Sequence, residues 1–541
     1  MYSQITLVNY SIGWWELMLR RSWFSKKGLR RLWVTAAIFS TLVSVVPQAW
    51  AEGPNDPAPS ITPASPNGKK VLFDNTHGQT AGAADWVIDG AFSDFANALG
   101  NAGYYVKELR KSTAITLSDL SAYDVFVIGE ANIPYKTTEQ SAMLQYVQAG
   151  GSIFFIGDHY NADRNKNRWD ASEVFNGYRR GAWTNPALGM SAAEATSAAM
   201  SGVASSDWLS TNFGVRFRYN ALGDITANNM VSGTQGFGIT SGVSTVAMHA
   251  GSTLAITDPN KAKGIVYLPA TTTKWASAVD QGVYNGGGIA EGPYVAVSKV
   301  SAGKAGFIGD SSPVEDATPK YKREETGGTK TTYAGFQEQN DATLLVNMVN
   351  WLATKESYTS LTQVSGLTLD TATTLFTWEQ PANTTEPQAE PWAAPAAGYK
   401  WYDPTTYKIG SYGVASSTNT TDPFAFVHQS QLPNHYVFQV KIIMNGLAAN
   451  STITGYNLGI YNSSGTQVAK VQNSDGSWPA AYGYSTSFSM TANASGHAEK
   501  IVNVQINTTA SGAASMRIRQ NTTNKFTEAV TIANVAAEPM P

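Results

Sequence analysis

The chain contains no cysteine. That one absence excludes a disulfide scaffold, a zinc ribbon, CxxC redox chemistry and a thiolate nucleophile. Charge is scarce too: charged residues are 14% of the 541, against roughly a quarter in an average soluble domain. Low charge together with 48 Gly, 25 Tyr and 15 Trp excludes a coiled coil and a disordered chain. Long apolar runs are missing except near the N-terminus. What is left is a large globular protein, two or three domains long at roughly 150 residues each, whose chemistry draws on oxygen and nitrogen ligands or on serine.

The apolar run near the N-terminus follows six basic residues, Arg20, Arg21, Lys26, Lys27, Arg30 and Arg31, and precedes Ala49-Trp50-Ala51. A basic stretch, a run of about 15 apolar residues and an A-x-A site describe a secretory signal, whereas a bilayer span takes about 20. Residues 1–51 are therefore expected to direct export, with cleavage after Ala51 and a secreted product, and Met18 is an alternative start. Losing those six basic residues and Glu16 leaves 31 Lys+Arg against 39 Asp+Glu, a formal −8. A polyanion partner would then need a local basic patch. No later stretch is apolar enough to span a membrane, and export without cysteine fits a bacterial secreted protein.

Residues 52–68 are rich in Pro, Ser and Asn and predict a linker. From Lys69 onwards apolar strands alternate with helix-spaced segments. Strands are expected at Val71–Phe73, Tyr104–Val106, Tyr123–Gly129 and Ser152–Gly157, and helices at Trp86–Leu99 and Thr138–Ala149. Tyr294–Val300 and Ala305–Gly309 predict a hairpin, and Asp341–Ala353 a closing helix. The pattern over 69–355 predicts an α/β domain, a parallel sheet with helices on both faces. Residues 356–397 predict a second linker, and 398–541, with alternating strands between Asn/Ser/Gly turns, an all-β sandwich.

In such sheets ligands sit beyond the carboxyl ends of the strands, where this sequence puts Asp74 and His77, Glu130, Asp158 and His159, and Asp310 with Asp316. Histidines beside carboxylates suit a divalent metal ion, with Asp74, His77, Asp158 and His159 as ligands, able to supply hydroxide near neutral pH. Asp310, Asp316 and Glu130 would assist. The basic and aromatic stretch from Arg164 through Lys166, Arg168, Arg179 and Arg180 would clamp phosphates, with Arg164 or Arg168 steadying the developing charge. This predicts a secreted metal-dependent hydrolase of phosphodiesters, its partner an extracellular polymer such as nucleic acid or polysaccharide. His249 lies in an apolar stretch and is expected to be a core histidine.

Two other readings stand beside it. Gly309-Asp310-Ser311 with Asp74-x-x-His77 resembles the GDS-type lipase and esterase family in reversed order, and implies an esterase or glycan deacetylase using Ser311. Trp392, Trp401, Tyr402, Tyr407 and Tyr412 could instead grip a polysaccharide in a non-catalytic protein.

Taken together, VLFDNTHGQTAGAADWVIDGAFSDFANAL, YDVFVIGEAN, GGSIFFIGDH and NDATLLVNMVNWLA resemble the class I glutamine amidotransferase-like superfamily over about residues 69–353. The likeness is to its non-amidotransferase branches, which include trehalose-utilisation-type proteins and secreted bacterial proteins labelled DNA-binding or endonuclease-like. It implies a flavodoxin-like parallel sheet. The superfamily's enzymes carry a cysteine on a sharp turn after a central strand. The comparable turn here, Gly157-Asp158-His159, has none, so amide transfer through a thioester is excluded.

Overall fold

The computed structural model describes residues 52–278, 281–386, 394–414, 424–493 and 496–538; the expected export signal lies outside them. The apolar runs after Lys69 become the middle of a nine-stranded sheet. Its strands are β1 (Ser60–Ile61), β2 (Lys70–Asp74), β3 (Tyr105–Leu109), β4 (Val125–Gly129), β5 (Ser152–Ile156), β6 (Asn229–Met230), β7 (Ala262–Tyr267), β8 (Val295–Val300) and β9 (Gly303–Ile308), in the order β1-β3-β2-β4-β5-β9-β8-β7-β6. From β3 to β9 the neighbours run parallel. The hairpin of β8 and β9 then reverses direction, and β7 and β6 continue antiparallel. β4 and β5 are buried along their whole length, as continuous Val, Ile and Phe runs require when both sheet faces are covered.

Alternate residues feed the two faces. Phe73, Val127 and Phe154 face one core, closed by helices α1 (Ser93–Asn101) and α3 (Asp341–Ala353). Leu72, Phe126, Ile128 and Phe155 face the other, closed by α2 (Thr137–Gln148), and there the rings of Phe155 and Phe307 stack 5.3 Å apart. Each such buried side chain contributes about 1.5–3 kcal/mol. Gly129 ends β4 because a Cβ there would lie 2.5 Å from the Phe92 ring.

The C-terminal strands are β10 (Phe424–Val427), β11 (Leu432–Pro433), β12 (Phe438–Met444), β13 (Thr452–Asn462), β14 (Ala469–Val471), β15 (Phe488–Thr491), β16 (Ala498–Ile506), β17 (Gly512–Gln520) and β18 (Thr523–Ala533). They form a four-stranded sheet, β10-β12-β16-β14, and a five-stranded sheet, β11-β18-β17-β13-β15. Pairing is antiparallel except between β11 and β18. Val440 and Ile442 from the first, and Leu458, Ile460, Met516 and Ile518 from the second, share one core.

Neither expected linker is free. Ser60 and Ile61 pair with Lys107 and Val106 along the edge of β3, and Glu52 bonds Lys320. Farther on, Asp370 takes the Lys263 ammonium at 2.7 Å and Glu379 takes Arg218 through both oxygens, at 2.8 and 2.7 Å. Buried cations need counter-ions, and these segments supply them. Residues 398–414 also join the α/β layer rather than the later strands: Tyr399 bonds Asn165 and Trp401 donates to Glu194. Trp401, Tyr402 and Tyr407 pack together with Met190 and Met200, and Tyr412 lies on Tyr321, so these rings do not form an open polysaccharide platform. Trp392 lies outside the described residues.

Candidate active site

The parallel strands β2, β4, β5 and β9 release their chains at one rim, and two separate groups of polar side chains form there. The first group surrounds His77. Its Nδ1 lies 3.3 Å from Asp74 Oδ2 and its Nε2 3.3 Å from Glu139 Oε2, with the ring on Tyr135 at 4.2 Å. Burial opposes a charge here, but the carboxylates of Glu139 and Asp74 outweigh it and raise the imidazole to about 10. Glu139 is the third residue of α2, where it also accepts from the amides of Lys136 and Ile115. The cluster thereby ties the end of β2 to the start of that helix.

The second group follows β4 and β5. Arg164 donates from Nε to Glu130 Oε1 at 2.6 Å and from Nη2 to Asp158 Oδ2, while its guanidinium lies over Trp86 at 5.3 Å. Glu130 has φ of +23°, a conformation non-glycine residues adopt rarely and at some cost. Its Oε2 is buried and accepts no hydrogen bond. Burial pushes the Glu130 carboxyl well above the usual carboxylate range despite Arg164, and the Asp158 charge adds to the push.

His159 is the complement. Its Nδ1 bonds the Tyr160 carbonyl at 2.8 Å and its ring rests on Trp275 at 4.3 Å. Burial lowers its pKa, giving a neutral ring protonated on Nδ1 whose Nε2 keeps its lone pair.

β9 adds Asp310, which accepts from the amides of His249 at 2.6 Å and Ser312 at 2.9 Å. Its carboxyl too is pushed well up, by burial and then by Asp158. Ser311 donates to Glu315 at 2.7 Å, and Glu315 also accepts from Trp86 Nε1. The serine is thus paired with a carboxylate and has no bond to a histidine, which removes the Ser–His pairing an esterase reading needs.

Several expected residues are engaged elsewhere. Asp316 accepts from Ser93 Oγ and the Asp94 amide, both at 2.8 Å, at the start of α1, and works as a helix cap. Asp316→Ala is expected to lower stability by about 0.5–2 kcal/mol, measured by urea unfolding, and to leave catalysis unchanged. Arg168 pairs with Glu194 at 2.9 Å, Arg179 donates to the carbonyls of Pro186 and Leu188, and Arg180 lies over the rings of Tyr160, Tyr219 and Trp378. Arg168, Arg179 and Arg180 are therefore engaged within the protein. Arg164 and Lys166 do line a cavity of about 210 Å³, together with Arg323 and Glu324. A larger one of about 650 Å³, bounded by Met230, Phe237, Thr240 and Val243, carries no titratable group.

The four expected metal ligands thus divide, Asp74 and His77 with Glu139, Asp158 and His159 with Arg164. Among the described residues no three or more of His, Asp and Glu are arranged to hold a metal ion. Glu139 and Trp275 are not among the residues the sequence singles out. His249 is no core histidine: its ring nitrogens face Asp224 at 3.0 Å and Glu338 at 2.9 Å. Only its position a few residues before a short strand marked it, and its partners lie far away in sequence.

No protein-family profile matches the chain, and no curated protein matches it. Among solved structures, the mmIFT52 N-terminal domain is similar at 10% identity with a TM-score of 0.33, over 53% of this chain and 99% of that one. A putative lipoprotein from Bacillus anthracis is similar at 11% identity with a TM-score of 0.15, over 20% of this chain and 70% of that one.

Proposed function

We propose that the chain is an exported hydrolase in which Glu130 is the general acid and His159 the general base. The observation that carries this is Glu130 itself: strained backbone, one carboxylate oxygen held by Arg164 and the other buried without a partner. Strain and a shifted carboxyl at one residue beyond the end of a central strand are the marks of a working site. Pairs of groups whose surroundings move them apart supply the acid and the base. His159 Nε2 takes a proton from water, the water oxygen bonds to the reacting centre, and the Glu130 proton goes to the leaving oxygen as its bond breaks. Arg164 and Asp158 position the Glu130 carboxyl, and Trp275 limits water around His159.

The order β3-β2-β4-β5-β9 supports a flavodoxin-like sheet, whose ligand crevice opens between β2 and β4. It also supports kinship with the glutamine amidotransferase-like superfamily, with the sharp turn after a central strand at Glu130 rather than at Gly157-Asp158-His159. The two C-terminal sheets about one core support a β-sandwich, and the residues 20–51 pattern supports secretion; no helix among the described residues is long and apolar enough to cross a membrane.

The test is hydrolysis of p-nitrophenyl esters, p-nitrophenyl glycosides and bis(p-nitrophenyl) phosphate, with and without added Mg²⁺, Mn²⁺, Zn²⁺ or Ca²⁺. At least one is expected to be cleaved without added metal, and Glu130→Gln is expected to lose about 10²–10⁴-fold while keeping its thermal midpoint. Cleavage of the phosphodiester alone, and only with metal, would restore the metal-dependent phosphodiesterase reading; cleavage of none would remove the hydrolase.

A further inference from the structure

The outer face of the five-stranded sheet carries two arginines that have no acidic partner among the described residues. Arg517 and Arg519 are two apart on β17, so both side chains leave the sheet on the same side, about 7 Å apart along the strand. Each is held twice. Arg517 donates from Nε to Thr527 Oγ1 at 2.7 Å and lies over the Tyr461 ring at 4.5 Å. Arg519 donates from Nε to Asn524 Oδ1 at 2.9 Å and lies over Tyr484 at 3.8 Å. Gly459, opposite Arg517 on β13, makes room for this: a Cβ there would come 2.8 Å from the Tyr484 ring. Tyr482, 40% exposed, has over its ring at 5.1 Å the ammonium of Lys470, from β14 of the other sheet.

The ring contacts and the Nε bonds fix both guanidinium planes and leave the Nη groups unbonded. No carboxylate lies within ion-pair distance of Arg517, Arg519 or Lys470 among the described residues. That contrasts with the α/β layer, where Arg110, Arg164, Arg168, Arg216 and Arg218 all have acidic partners. Two pre-set forks fit two oxyanions bidentately. Two arginines offer few of the roughly 6–10 phosphate contacts of a strongly salt-dependent nucleic-acid binder, and residues 52–541 carry a formal −8. The surrounding Thr, Asn, Gln and Tyr side chains suit hydroxyl-rich sugars instead.

We propose that this face binds an acidic polysaccharide, with carboxylates on the polymer taken by the Arg517 and Arg519 forks. The site is separate from Glu130 and does not depend on the hydrolase reading.

The test is native affinity electrophoresis of the full chain in gels containing polygalacturonate or alginate, with dextran as the neutral control and a single-stranded oligonucleotide as competitor. Wild-type protein is expected to be retarded by a polyuronate and not by dextran. The Arg517→Gln/Arg519→Gln variant is expected to bind about tenfold or more weakly, and Arg517→Lys/Arg519→Lys to recover only part, since it keeps the charge without the fork. Glu130→Gln should be retarded like wild type. Equal thermal midpoints establish that the exposed substitutions leave the fold intact; if the Gln pair unfolds, the comparison of wild type with the Lys pair decides. No retardation by either polyuronate, unchanged binding in the variants, or displacement by the oligonucleotide at lower concentration than by polyuronate would overturn the proposal, the last in favour of nucleic acid.

Discussion

Arg164→Met is expected to lower folding stability by about 3–5 kcal/mol near pH 7, the usual cost of removing one partner from a buried ion pair. Among the described residues Arg164 is the single cation bonded to Glu130 and Asp158, and Asp310 and Glu315 add further carboxyls whose burial raises them. Without Arg164 a buried carboxylate is left without its counter-ion. The deficit should therefore shrink at about pH 5, where a carboxylate stripped of its counter-ion takes up a proton more readily. Adding Asp158→Asn to Arg164→Met should recover part of the loss, since the neutral amide needs no counter-ion, and the double-mutant cycle should give a coupling above about 1 kcal/mol. Urea unfolding at the two pH values measures all of this. A loss below about 1 kcal/mol, typical of an exposed arginine, would mean that Arg164 does not organise the site.

The His77 cluster has the second large expected effect, and it appears as a pH dependence. The imidazole's ordinary value is 6.5 and its folded value about 10, so the folded chain holds that proton more tightly than the unfolded one. Its contribution to stability is full below pH 6.5 and is lost as pH rises through about 10, a decline of about 2–5 kcal/mol. Glu139, held down to about 2 by its own burial being outweighed by His77, is the same contact seen from its partner and is not counted again. His77→Gln should be less stable near neutrality and should lose the slope across this window. Unfolding free energies taken from pH 6 to pH 10 would show it; parallel wild-type and His77→Gln curves would contradict the assignment.

How much of this could be read in the sequence follows from which interactions are local. β4, β5, the β8–β9 hairpin and α3 appear almost where expected because their apolar runs or 3.6-residue spacing are set by neighbouring residues. The helix expected from Trp86 starts only at Ser93, where Asp316 caps it from 223 residues away. Residues 52–68 and 356–397 have a linker's composition, yet Glu379 neutralises Arg218 across 161 positions, and composition carries no trace of such a partner. The rim was foreseeable because strand ends are local features. Its division was not, since Glu139 reaches His77 across 62 residues and Arg164 reaches Glu130 across 34. The basic loop illustrates the limit most clearly: five cations in sequence suggested a clamp, and four of them are bound by the protein's own carboxylates, carbonyls and rings.

The most direct test of Glu130 as acid and His159 as base is the pH dependence of kcat/KM on whichever substrate the panel identifies. The base must be deprotonated, so activity should rise through a pKa below 6.5, the ordinary imidazole value from which burial lowers His159. The acid must be protonated, so activity should fall again through a pKa well above the ordinary glutamate value of 4.5. The account predicts a bell whose alkaline limb disappears in Glu130→Gln and whose acid limb disappears in His159→Gln. A bell unchanged in both variants would contradict it.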